Sequence, residues 1–177
     1  MSFLSRLFKP LLGRAADDRQ PVRPLWHRTV ELARDPRWYR EGGVADTIPG
    51  RFDAITLVLC AVLLRMEREP ALVPPSVLLT ELFVDDMDGQ LRQSGVGDLV
   101  VGKHIGKLVS SLGGRLGALR EALAQPDDAA LTAAVERNVS LGEQGDPARV
   151  AALLRALASA LDATSGEDLL AARISLP

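Results

Sequence analysis

Apolar residues recur along this chain at the three- and four-residue spacing of buried helix faces. Leu25, Trp26, Thr29, Val30 and Ala33 predict a helix over about 25–34, ended by Pro36. Trp38 and Tyr39 follow, then a Gly42-Gly43 turn. Asp46-Thr47-Ile48-Pro49 is a helix-start signal, with candidate caps ahead of a first-turn proline. The helix it opens runs to about Arg68. From Ala54 to Leu64 it is apolar almost all round, which predicts the central core helix. Those 11 residues at ~1.5 Å each cannot cross a ~30 Å hydrocarbon layer, so no transmembrane span is expected. Pro70, Pro74 and Pro75 break the chain before a helix from about Ser76 to Gln93, which Gly95-Val96-Gly97 ends. Asp98 can cap the next helix, to about Ala124, whose buried stripe is Val101, Ile105, Leu108, Leu112, Leu116, Leu119 and Leu123. Two further helices are expected near 127–141 and 146–163. The second starts at Asp146-Pro147, with Val150, Leu153, Leu154, Leu157 and Leu161 inward.

Residues 2–14 show a different pattern. Phe3, Leu4, Leu7, Phe8, Leu11 and Leu12 occupy one half of a helical wheel. Ser2, Ser5, Arg6, Lys9 and Gly13 occupy the other, with Arg14 at the apolar edge. This is the pattern of an interfacial amphipathic helix, interrupted at Pro10. It fits an arm docked on its own domain or one in contact with a membrane surface. No continuous apolar core or cleavage site follows, which argues against a signal peptide.

The expected architecture is therefore all-α: a single compact multi-helix domain, residues 25–163, built on the central apolar helix. An amphipathic arm and linker occupy 1–24, and a tail with one helical turn occupies 164–177. Abundant Ala and Leu with few β-branched runs agree with helix over sheet. The net charge of -2 gives no ground for a nucleic-acid partner. Charge alternates, however: residues 1–40 are basic, 41–100 acidic, 101–124 basic and the remainder acidic. Oppositely charged segments are expected to pack together or to present separate surfaces. The single cysteine, Cys60, lies in the apolar run; it can build neither a disulfide framework nor a cysteine metal site, and a buried reduced thiol is expected.

Candidate chemistry concentrates in Phe83–Asp98. Leu79, Leu82, Phe83, Met87 and Leu91 form an apolar helix face, and Asp86 falls inside it while Asp85 and Asp88 fall outside. An acid aimed at a core needs a bonded partner or must lose its charge. Asp86 is thus expected to be buried and paired with Arg51 or Arg115. Asp88 precedes Arg92 by four residues, the favourable order for an exposed helix pair. Asp53, early in its helix, would favour the positive dipole end.

Other motifs lead nowhere. Asp85-Asp86-Met87-Asp88-Gly89 lacks the glycine and terminal Glu spacing of a calcium loop. Gly95-Val96-Gly97 lacks the third glycine and the strand of a dinucleotide site. His27 and His104 have no second ligand at metal spacing, and no Ser-His-Asp or Cys-His set can be assembled. Asn138-Val139-Ser140 matches a glycosylation sequon, but nothing suggests secretion. No catalytic residue, metal or cofactor is expected.

The 98–124 helix carries Gly106, Gly113, Gly114 and Gly117 opposite its leucine stripe, with Lys103, Lys107 and Ser110 on the same side. Each interior glycine costs about 1 kcal/mol relative to alanine. The glycines fit close packing on a helix of the same domain. Equally, they fit a shallow groove with a basic rim that receives another polypeptide's helix. On that second reading Lys103, Lys107, Ser110 and Gly114 are the candidate client-binding residues.

Several separated motifs now stand in a definite order: Trp38-Tyr39, Gly43-Val44-Ala45-Asp46-Thr47 and Gly50-Arg51-Phe52-Asp53. Then come Phe83-Val84-Asp85-Asp86-Met87-Asp88, Leu91-Arg92, Gly95-Val96-Gly97-Asp98, Val101-Gly102-Lys103 and Gly114-Arg115. Over about residues 25–125 this resembles the ubiquinol–cytochrome c chaperone family, assembly factors for respiratory complex III. Val58 and Leu119 depart from the family pattern, where His and an aromatic are common. The resemblance implies an all-helical, non-enzymatic chaperone without a cofactor, whose partner is newly made cytochrome b. It makes Arg51, Phe52, Asp53, Asp86, Asp88, Arg92, Asp98 and Arg115 structural motif residues. Without a mitochondrial presequence, a bacterial member is expected, cytoplasmic and peripheral at the inner membrane. Two other readings stay open: a peripheral membrane scaffold or adaptor using residues 2–14, and an enzyme using the Asp85/Asp86/Asp88 cluster.

Overall fold

The computed structural model describes residues 18–93 and 98–174, with side chains at 18–90 and 106–174. The amphipathic segment 2–14 and the Gly95-Val96-Gly97 stop lie outside these residues. Among the described residues there is no strand, only an isolated antiparallel bridge between Val44 and Leu141. The expected all-α class is what the chain adopts.

Prolines start the helices more often than they interrupt them. Helix α1 (Arg23–Ala33) has Pro24 in its first turn, and α2 (Pro36–Arg40) begins on Pro36. Helix α3 (Ile48–Glu67) has Pro49 there. Helix α4 (Val73–Gln93) starts ahead of Pro74 and Pro75, three residues earlier than expected. The first-turn N–H groups of a helix have no internal partner, so a proline there loses nothing. The same reasoning places Pro147 at the start of α7 (Pro147–Asp162), after α5 (Asp98–Leu123) and α6 (Ala129–Asn138). Side-chain caps complete several starts. Asp35 accepts from Arg37 N at 2.9 Å, Thr47 Oγ1 from Gly50 N at 3.3 Å, and Asp146 from Arg149 N at 2.9 Å.

Helix α3 is the core. Every side chain from Thr56 to Leu64 is buried, and α1, α4, α5 and α7 pack around it. Thr56 is tolerated there because its hydroxyl donates to the Phe52 carbonyl at 2.8 Å. Helix α6 packs on α5 and α7 in an outer position. The stripes of α5 and α7 are as expected: Leu112, Leu116 and Leu119 are buried, as are Val150, Leu154, Leu157 and Leu161.

Two segments read as loop or tail are ordered by tertiary contact. Helix α2 carries Trp38, whose indole Nε1 donates to the Leu32 carbonyl at 2.8 Å. After α7, a short helix α8 (Gly166–Leu170) buries Leu169. Ile174 is also buried, and its carbonyl accepts from Arg28 Nη2 at 2.6 Å and Nε at 3.0 Å.

Candidate functional site

The Gly50-Arg51-Phe52-Asp53 motif forms the first turns of α3. A Cβ at Gly50 would stand 1.9 Å from the Ala45 carbonyl oxygen, so only glycine lets the preceding loop cross the helix start. Asp53, 5% exposed, is the branch point of this region. Its Oδ1 accepts from Arg115 Nη2 of α5 at 2.6 Å. Its Oδ2 accepts from the Ser140 amide at 2.9 Å and the Ser140 hydroxyl at 2.8 Å. Ser140 lies just past α6, and its carbonyl accepts from Ala45 N at 2.9 Å. Gly142 N donates to the Gly43 carbonyl at 2.8 Å beside it. Gly43 has φ +67°, and a Cβ there would fall 2.6 Å from Gly145 Cα. One carboxylate therefore ties α3 to α5 and to the loop pair that joins α2 to α7.

An aromatic chain backs this node. The Arg115 guanidinium carbon lies 5.6 Å from the Phe52 ring centroid. Phe52 is 6.2 Å from Phe83 of α4, and Phe83 is 6.0 Å edge-on from Trp26 of α1. Arg115 Nε and Nη1 are buried without a hydrogen-bond partner among the described residues, so the ring face is their compensation.

The expected burial of Asp86 is not what the chain does. Asp86 is exposed and has no bonded partner among the described residues. Arg51, one of its expected partners, is exposed and pairs at 2.6 Å with Asp46, which it holds below the usual carboxylate range. Arg115 is the buried arginine, but its acid is Asp53. The wheel assumed one buried arc along all of α4. The covered side instead turns: Leu79 is fully buried, while Asp86 and Gln90 on the same arc are exposed and Met87 stays covered. In water Asp86 needs no partner. Asp53 was read only as a dipole contact; the signal for burial was its place at the head of an all-round apolar helix.

Asp85 is exposed and paired with Arg19, and Asp88 is half-buried. Among the described residues, no group of three His, Cys, Asp or Glu side chains is placed to hold a metal ion. Glu81, which the sequence did not single out, is buried at 8% exposure.

On α5, Lys107, Ser110 and Gly114 are exposed, as is Gly106. A Cβ at Gly106, Gly114 or Gly117 would meet nothing within 4 Å. Close packing within the described domain therefore does not account for these three glycines. The side chains of Lys103, Arg92 and Asp98 lie outside the described residues. The opposite side of α5 is held to α3 twice, by Arg115 with Asp53 and by Arg120 with Glu67 at 2.7 Å.

A family model described as "Ubiquinol-cytochrome C chaperone" matches residues 40–176. The match runs through α7 and α8, well past the stretch that carried the resemblance in the sequence. Among solved structures, the crystal structure of the Cbp3 homolog from Brucella abortus has 34% sequence identity and a TM-score of 0.77. That likeness covers 89% of this chain and 88% of the other. No curated protein matches the chain.

Proposed function

The chain belongs to the ubiquinol-cytochrome C chaperone family, and we propose that it is a non-enzymatic assembly chaperone that binds newly made cytochrome b on its way into ubiquinol–cytochrome c reductase. The family places the role in complex III assembly. The client and the surface that meets it are our reading. No described helix is long and apolar enough to cross a membrane. The proposed setting is the cytoplasmic face of the inner membrane, where a membrane-embedded client is handed on.

One observation carries the choice of surface. Helix α5 keeps Gly106, Gly114 and Gly117 on a side where side chains would meet only open space. Each costs helix stability of about 1 kcal/mol relative to alanine. A bare helix backbone lets an apolar client helix approach closely, and Lys103 and Lys107 form a basic rim. The Asp53–Arg115 bond sets how that face is turned. Pull-down from detergent-solubilised membranes of the native host tests the proposal. Cytochrome b is expected with the wild-type chain and lost with Lys103→Glu/Lys107→Glu of equal stability. Equal recovery by both would remove α5 as the surface, and recovery by neither would count against the client.

A further inference from the structure

Glu81, Asp85 and Asp88 follow at four- and three-residue spacing and so form one stripe along α4. Glu81 is 8% exposed, and its Oε1 is buried without a hydrogen-bond partner among the described residues. A buried acid of this kind calls for cations over it. The chain supplies them from its N-terminal side. The 3-10 turn Gln20–Val22 packs on α4, and Arg19 just before it pairs with Asp85. The Nε atoms of Arg19 and Arg23 are buried without a partner among the described residues. A basic stretch thus enters the domain along an acidic helix stripe.

The basic residue before Arg19 is Arg14. Five residues span up to ~17 Å, enough to reach Asp86, which is exposed one position past Asp85 and has no bonded partner among the described residues. Arg14 stands at the apolar edge of the 2–14 wheel. Bringing it to Asp86 turns Phe3, Leu7 and Leu11 toward the α4–α5 pair and leaves Arg6 and Lys9 in solvent. As a helix, residues 2–14 would be ~20 Å long, close to the ~17 Å between Gly106 and Gly117 on α5.

We propose that residues 2–14 dock on α4 and α5 of their own chain, held by an Arg14–Asp86 pair, and cover the open face of α5 until a client displaces them. The displacement rests on α5 being the client surface; the docking does not.

The test is disulfide cross-linking in the full chain carrying Leu11→Cys with Gly106→Cys. Cys60 can stay, because it is fully buried. The expected result is an intramolecular cross-link that falls about five-fold with Arg14→Glu and returns with Arg14→Glu/Asp86→Arg. Cross-linking indifferent to both changes, formed between two chains, or absent would overturn the docking. If it is absent and residues 2–14 are needed for sedimentation with phosphatidylglycerol vesicles, the arm's partner is the lipid surface. Cytochrome b recovery is a separate assay, so failure of the docking and failure of the chaperone reading are distinguishable.

Discussion

Arg115 of α5 donates to Asp53 of α3 at 2.6 Å, with the two side chains only 14% and 7% exposed. Both ions have been taken out of water, so the pair contributes less net stability than its Coulomb attraction suggests. Removing one partner is different, because it strands the other. Asp53→Ala and Arg115→Ala are each expected to lower the free energy of unfolding by about 3 kcal/mol. The double variant should lose less than the sum, with a coupling above about 1 kcal/mol in urea titrations. Strict additivity would show that the bond does not join the two helices energetically.

The glycines divide into two kinds with opposite expected effects. Gly50→Ala drives a methyl group into the Ala45 carbonyl, 1.9 Å away, and should unfold the start of α3 at a cost above about 3 kcal/mol. Gly114→Ala and Gly106→Ala meet open space and should stabilise the helix by about 1 kcal/mol each. Thermal melts of the three variants check the ordering. A destabilised Gly114→Ala would mean that the face is packed.

Cys60 is fully buried in α3, and burial pushes its thiol up to about 12. The native chain should therefore show no reaction with a thiol reagent at pH 8, and its labelling rate should follow global unfolding in denaturant. Because the folded value is raised above the unfolded ~8.5, the thiol contributes stability that is full below pH ~8.5 and is lost as pH rises toward 12. Rapid labelling without denaturant would contradict the burial of α3.

Much of this fold was legible because burial sets the pattern directly. The apolar run Ala54–Leu64 is the core helix, and the leucine stripes of α5 and α7 face it. The caps at Thr47 and Asp146 were readable because their spacing is local. What stayed hidden depends on distant partners. Asp53 accepts from Ser140, 87 residues away, and α2 and α8 are too short to stand without the contacts of Trp38 and Leu169. Asp86 misled because a helical wheel assumes neighbours that stay on one side. The open glycines of α5 could be seen in the sequence, but only coordinates could show that no described side chain lies over them.

The most direct measurement is photo-cross-linking in cells from an unnatural residue placed at Ser110 or Gly114 on the exposed face of α5, with Glu136 on the exposed side of α6 as the control. The account predicts a cross-link to cytochrome b from 110 and 114 and none from 136. Cross-links from 136, with none from 110 or 114, would contradict it.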